Sequence, residues 1–421
     1  MPWLSKATKQ FLITGLLQLT LACSAVASTV LNDPPLNVYL SADMTHTSAV
    51  GESLRLGLQA GLIEGAGRYG GPAPQVIVRD HKNNMRRTER TFDEAYHDPH
   101  TLAVVGGMHS PHYLRHGPKM NERKMVLMLP WSAGGTLTRL ADGPENHIFR
   151  VSLDDSKAAP FLAAQAQMHG CTRVAAIALD NGWGRSNVTS LAQHLPSHGM
   201  ELVHQGFIRR DAGTDTVGAE VAKMHDVRPD CVVMVLAARG SAYTANALLE
   251  WENPPNVLSH WGLLGGGFHN FVSQGVWDRL DIAILSTCVL ETPVDRPEQL
   301  AIALRATETV QAGVQELGDF PSPTAFAHAY DLALILSAAA AQATTDPRWA
   351  EGQTTRNAAL RDALQSLNAP VVGLLKTYDP PFQAVSADTQ NGHEALRQTD
   401  LCLARKRPDG GVEAYSRVST Q

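Results

Sequence analysis

Short runs of β-branched and aliphatic residues alternate along this chain with longer amphipathic stretches. Strand-like runs fall at 36–40, 75–79, 102–105, 125–129, 149–152, 174–179, 202–208, 231–236, 257–261 and 282–286. Helix-like spacing fills the segments near 50–63, 87–97, 111–122, 157–168, 185–196, 215–225, 241–251 and 269–279. This alternation predicts right-handed βαβ units and parallel, doubly wound sheets. The run Val174-Ala175-Ala176-Ile177-Ala178-Leu179 is apolar throughout, which suits a strand covered on both faces. Two such series, one before Phe149 and one after it, each have the size of a domain. Beyond residue 290 the texture changes to Ala/Leu-rich helical stretches at 297–317, 324–343 and 355–367. A Pro/Gly-rich tail follows, with short strands around 373–377 and 400–405. No repeat suggests a solenoid. The expected fold is α/β, two doubly wound parallel-sheet lobes with a cleft between them, where strand carboxyl ends and helix N-termini converge on a ligand.

Composition agrees with a folded globular product: of 421 residues, 44% are hydrophobic and 18% charged. The net charge of −6 comes without a basic run or stripe, so nucleic-acid binding has no electrostatic footprint.

The first residues read as a leader rather than as part of the fold. Lys6 and Lys9 precede an apolar run from Phe11 to Ala22, and Ala25-Val26-Ala27 supplies a small-x-small end. That is a secretory signal peptide over residues 1–27; the apolar run is short of the roughly 20 residues that span a bilayer. Leu21-Ala22-Cys23 resembles the end of a lipobox, although Thr20 stands where that motif prefers Leu. Cleavage after Ala27 removes two lysines and no acid, taking the charge to −8. Four cysteines then remain: Cys171, Cys231, Cys288 and Cys402. In an oxidising compartment they allow three pairings. Cys171 and Cys231 each open a strand-like run, so a bridge between them is feasible if those strands are parallel neighbours; buried free thiols are the alternative. Wide spacing and the lack of a CxxC pair speak against zinc.

The motifs of secreted α/β enzymes are missing. There is no G-x-S-x-G, H-E-x-x-H or G-x-x-x-x-G-K-[ST]. The stretch Gly262-Leu263-Leu264-Gly265-Gly266-Gly267 reads as a tight loop open to close backbone approach. Histidines 97, 100, 109, 112 and 116 form the best candidate for an enzyme or metal site. Pro99 and Pro111 interrupt their i, i+3 pairs and no cysteine lies near, so they are expected to be loop and surface residues. No metal and no cofactor is expected.

Strand ends are more informative. Gly106-Gly107-Met108-His109-Ser110-Pro111 closes a strand and opens a helix, with Ser110 as the expected N-cap and Pro111 at the first helical position. Pro130-Trp131-Ser132-Ala133-Gly134-Gly135 ends the next strand in small residues. Free backbone N–H groups at both places are suited to a carboxylate.

Several segments then resemble a family in order and spacing: Ser48-Ala49-Val50-Gly51-Glu52-Ser53, the stretch Asp80 to Asn84, Ile148-Phe149-Arg150 with Asp154-Asp155, and Ala329-Tyr330-Asp331. Over most of residues 36–415 the chain resembles the type I periplasmic solute-binding proteins of the Leu/Ile/Val-binding kind, the ligand receptors of ABC importers. The resemblance implies two lobes joined by a three-strand hinge, lobe 1 from 36–151 plus 290–385 and lobe 2 from 152–289 plus 386–417. It implies a periplasmic, monomeric protein that holds a small molecule between the lobes and hands it unaltered to a permease in the inner membrane. By position Ser110, Ser132, Ala133 and Gly134 match the family's anchors for the ligand carboxylate on the first lobe, and Trp183 matches the second-lobe aromatic that covers the ligand; His109 and Trp131 join the candidates from their places at the same strand ends.

One departure stands out. The family pairs the ligand's ammonium with an acid in a Gly-rich loop, and Leu264 occupies that acid's place. A buried ammonium without a counter-charge costs several kcal/mol, so another acid serves or the ligand has no ammonium. Arg239, at a second-lobe strand end, offers a charge for an anion. The ligand is therefore expected to be amino-acid-like or a more apolar, aromatic carboxylate. A sensing module of the same fold is the alternative within binding proteins; a secreted hydrolase or metalloenzyme would require the histidines to converge.

Overall fold

The computed structural model describes residues 35–139, 145–386 and 389–415. The leader at 1–27, Cys23 and the lobe boundary at 417 lie outside the described residues.

The first strand series forms a parallel sheet of β1 (Asn37–Ala42), β2 (Gln75–Asp80), β3 (Thr101–Gly106), β4 (Leu127–Leu129) and β5 (Ile148–Arg150), in the order β2-β1-β3-β4-β5. The second series repeats that order. It comprises β6 (Arg173–Leu179), β7 (Glu201–Ile208), β8 (Cys231–Val235), β9 (Asn256–Ser259) and β10 (Ile282–Thr287). A two-stranded antiparallel ribbon, β11 (Val371–Val372) with β12 (Thr377–Tyr378), comes next in the chain. Finally β13 (Leu401–Lys406) and β14 (Val412–Ala414) extend the second sheet antiparallel to β10, giving β14-β13-β10-β9-β8-β6-β7. All six residues of β3 and all but the first of β6 are buried, as continuous apolar strands require.

Helices cover both sheets. In the first half they are α1 (Ser48–Tyr69), α2 (Met85–His97) and α3 (Ser110–Glu122). α4 (Asp155–Met168) leads into the second sheet, and between its strands run α5 (Gly182–His194), α6 (Thr214–Asp226), α7 (Ala238–Leu248) and α8 (Gln274–Arg279). After β10 come α9 (Thr292–Asp295), α10 (Pro297–Glu308), α11 (Pro323–Ala343) and α12 (Gln353–Gln365). The predicted helix over 297–317 stops at Glu308 because the chain turns through Gly313 at φ 88°. The one predicted over 269–279 shortens to α8, the segment before it being a 3₁₀ turn anchored by buried Phe268.

Helix α11 is long and apolar enough to cross a membrane, yet 83% of its most apolar window is buried. It lies along α1, and the reason is a stripe of glycines. A Cβ at Gly57 would come 2.2 Å from the Phe326 carbonyl oxygen, one at Gly61 2.6 Å from that of Tyr330, and one at Gly65 2.2 Å from Ser337 Oγ. Only residues without a side chain let the two backbones approach this closely. The later chain thereby returns to cover the first sheet.

Three segments pass between the sheets: Val151 to Asp154 after β5, the turn Cys288–Glu291 after β10, and the stretch leading from Glu394 into β13. A buried ion cluster ties two of them. Arg150, wholly buried, reaches Glu394 at 2.6 and 2.8 Å and Asp154 at 3.2 Å, and Arg139 reaches Asp154 at 3.2 Å. Fully desolvated charges need this many partners. The Cys288–Cys402 disulfide, Cα atoms 4.9 Å apart, fastens the remaining crossing, the turn after β10, to β13. Cys171 and Cys231 form the second disulfide, with Cα atoms 5.8 Å apart, where β6 and β8 run as parallel neighbours.

Candidate functional site

The carboxyl ends of both sheets face one cleft. From the first lobe it receives Met108, His109, Ser110 and Pro111, which follow β3, and Trp131 and Ala133, which follow β4. From the second come Leu179, Asn181 and Trp183 after β6, Arg210 after β7, Ala237 after β8, and Trp261 and Gly262 after β9. The cleft continues through Ser110 and Trp183 into a wider mouth of about 1680 Å³ between α3 and α5, where Gly134 lies. The switch points of two identical strand orders thus face each other.

Aromatic rings dominate the walls. Trp131 and Trp261 stack across the lobes with centroids 4.7 Å apart and planes 9° apart, both 2% exposed. Trp183 Nε1 donates to Asp155 Oδ1 at 3.4 Å, and its ring meets His260 edge-on at 5.0 Å. His260 Nε2 holds the same Asp155 oxygen at 3.1 Å, so the acid orients both rings. A Cβ at Gly262 would fall 2.9 Å from the Trp183 ring and 2.6 Å from the Leu236 carbonyl, so this position must stay bare for the indole to lie here.

The polar groups are few. His109 Nε2 sits 3.2 Å from Asp43 Oδ2. A carboxylate only accepts, so neutral His109 carries its proton on Nε2 and leaves Nδ1 as an acceptor. Burial works against the Asp43 charge, but hydrogen bonds from His109 and the His46 amide hold its carboxyl well below the usual range. Ser110 Oγ accepts the Gly134 amide at 3.1 Å and keeps its own proton to donate. The acids around the cleft are committed: Asp43 to His109, Asp155 to His260 and Trp183, Asp180 to Arg185 at 2.5 Å. Arg210 is exposed, and among the described residues it makes no hydrogen bond or ion pair.

The structure brings His109, Ser110, Trp131, Ala133 and Trp183 together on the cleft and puts Gly134 at its mouth. Other expectations need correction. Ser132 is wholly buried and spends its hydroxyl on the Gly107 carbonyl at 2.6 Å, so it shapes the loop rather than lining the cleft. Leu264 is buried within the 3₁₀ turn Trp261–Gly265, and it is Trp261 and Gly262 of that turn that face the cleft. Arg239 points elsewhere, donating to the Tyr243 hydroxyl at 2.9 Å and lying over the Tyr243 and Phe271 rings. The helix begins at Ser110 with His109 at the cap position, one residue earlier than expected, and the Gly134 amide is not free for an anion.

Nor are all the histidines superficial. His109, His112 and His116 are buried, and His81 joins them, its ring stacked on His112 at 4.5 Å. Burial lowers His81 to about 4 and His112 to about 3, so both are neutral. His112 is held by Thr88 at 2.6 Å and Asn83 at 3.0 Å. Among the described residues, the only groupings close enough to share an ion are built on disulfide cysteines. Sequence reasoning missed Trp261 and Arg210; the Arg209-Arg210 pair directly after a predicted strand was the available signal for the latter.

Comparison with known proteins agrees with this architecture. No curated protein matches the sequence. Among solved structures, an extracellular ligand-binding receptor from Rhodopseudomonas palustris HaA2 shares 16% identity over 91% of this chain and 100% of its own, with a TM-score of 0.69. An R. palustris ABC-transporter solute-binding protein in complex with 4-hydroxybenzoate shares 17% over 91% and 96%, TM-score 0.69. A leucine-binding protein from Thermotoga maritima MSB8 shares 14% over 90% and 98%, also with a TM-score of 0.69. The family model for periplasmic binding proteins matches residues 39–257, more than half of the sequence, and the chain belongs to that family.

Proposed function

We propose that this protein is an exported solute-binding protein that captures a small aromatic or apolar carboxylate between its lobes and delivers it unaltered to an ABC permease. One observation carries the ligand class: three indoles wall a cleft whose uncommitted charge is a cation, Arg210, while its acids are already paired. An α-amino acid would bring an ammonium with no acid free to receive it, at a cost of several kcal/mol. The guanidinium of Arg210 suits a ligand carboxylate, and the indole-rich wall suits a flat apolar body. The similarity to a solute-binding protein crystallised with 4-hydroxybenzoate favours the same class. His109 Nδ1 supplies an acceptor for a ligand hydroxyl.

The family supports a periplasmic or extracellular site of action, and the leader at 1–27 is the proposed export signal. Isothermal titration against benzoate, 4-hydroxybenzoate, leucine and phenylalanine tests the reading. Micromolar or tighter binding of an aromatic acid with weak or absent leucine binding is expected; nanomolar leucine binding overturns it. Mass spectrometry of the molecule that co-purifies gives an independent answer.

A further inference from the structure

A second pocket, of about 830 Å³, lies at the other end of the second sheet. It opens beside the first residues of β10, whereas the ligand cleft sits past the carboxyl ends of the parallel strands. Part of its wall is apolar, where Phe268 and Trp277 meet edge to face at 5.8 Å with Val276, Ile282 and Ile284 beside them, and the rest is charged. Lys406, the last residue of β13, lines it and is only 5% exposed.

The charges round this pocket are unevenly satisfied. Arg405 is taken by Asp281 at 2.6 Å, and Asp281 also accepts the Tyr415 hydroxyl at 2.6 Å. Arg279 donates to the carbonyls of Leu249 and Trp251, each at 2.9 Å, and Asp278 accepts the Gln274 amide at 3.0 Å. Lys406 Nζ has a single acceptor among the described residues, the Gly410 carbonyl at 2.8 Å. An ammonium has three donors, and a buried one with two left over gains from any anion that reaches it.

We propose that this pocket is a second ligand site, for an amphipathic monocarboxylate whose chain lies against Trp277, Phe268 and Ile284 and whose carboxylate pairs with Lys406. Burial lowers Lys406 to about 8, with Asp409 opposing the shift, so the pairing is expected to fade in mild alkali. The groups around it are Asp278 and Arg279 on α8, Asp281 before β10, Arg405 on β13, Asp409 in the following turn and His269, packed on Gly410. Of these side-chain types, an ammonium shifted by burial is the one that loses its charge between about pH 7 and about 9.5.

The test is calorimetric titration of octanoate into the full exported chain, with 1-octanol as the uncharged control. Besides any octanoate taken by the interlobe cleft, one Lys406-dependent octanoate per chain is expected, weakened at least about tenfold by Lys406→Met and by raising the pH to about 9.5. Octanol should bind far more weakly, and the Lys406-dependent event should persist in Arg210→Ala, which weakens only the cleft's share of the binding. Absence of a Lys406-dependent octanoate event, binding indifferent to Lys406→Met and to pH, or loss of that event in Arg210→Ala would each overturn the proposal. Because the pH series needs no variant, it decides the matter even if Lys406→Met fails to fold.

Discussion

Trp131 and Trp261 belong to different sheets, one following β4 and the other β9, yet their rings lie 4.7 Å apart and within 9° of parallel. The pair therefore bridges the two lobes directly. Beneath it His328 lies 6.0 Å from Trp261, holding the Pro130 carbonyl at 3.0 Å and Thr287 Oγ1 at 2.8 Å. These contacts tie the ends of β4 and β10 to α11, so the ligand walls and the crossing segments share one packed unit.

Removing either indole should weaken both ligand binding and lobe apposition. Trp261→Ala is expected to lower affinity about tenfold, and a double-mutant cycle with Trp131→Ala should give a coupling of about 1 kcal/mol. Titration calorimetry with tryptophan fluorescence checks this. Additive losses would mean that the stack contributes nothing as a pair.

Arg210 is exposed and has no partner among the described residues, so its loss should leave folding intact while damaging recognition of an anion. Arg210→Ala is expected to cut affinity for a carboxylate ligand about 10- to 100-fold, with the melting temperature shifted by no more than about 1 °C. Arg210→Lys should recover only part, since an ammonium lacks the planar fork. Undiminished binding in Arg210→Ala would show that another group holds the acid.

The glycine stripe on α1 makes a stability prediction. In Gly61→Leu the new side chain would be driven into the Tyr330 carbonyl and the Ala333 methyl, both 2.6 Å from its Cβ, forcing α1 and α11 apart. A loss of about 1–3 kcal/mol is expected by urea denaturation. Gly67→Ala, on the same helix but with nothing within 4 Å of the added Cβ, should be neutral or stabilising.

Acid should destabilise the fold. Burial lowers His81, His147, His328 and His393 to about 4 and His112 to about 3. The unfolded chain takes up these protons near pH 6.5 while the folded one refuses them until about pH 4. Stability is thus fully present above about pH 6.5 and drains away as pH falls through that window, by about 1 kcal/mol or more per histidine. Asp331, raised to about 6 by burial, acts in the opposite sense, but it is one group against five. Urea midpoints at pH 7, 5.5 and 4.5 should fall in that order, and His328→Gln should flatten the decline. A midpoint that rises on acidification contradicts this account.

Much of the architecture was legible from local pattern. Runs such as 174–179 are apolar at every position, and the strand–helix alternation around them leaves little choice but parallel sheets with covered faces. The places where chemistry gathers were legible too, because small residues and prolines mark strand ends, and His109, Ser110, Trp131, Ala133 and Trp183 all reach the cleft. Side-chain direction was not legible. Ser132 and Arg239 sit at the right strand ends but turn to the Gly107 carbonyl and to the Tyr243 ring, and each orientation depends on a partner from another part of the fold.

By itself the sequence determined periodicity, hence element type, the parallel βαβ alternation and several of the loops that meet at the cleft. These follow from backbone geometry and local burial, which neighbouring residues decide. Only the tertiary structure decided that Trp261 and Arg210 complete the site, that His81, His112 and His116 are interior, and that glycines 57, 61 and 65 seat α11 on α1. Each of those depends on contacts between residues tens to hundreds of positions apart, and no local pattern encodes which distant surface will arrive.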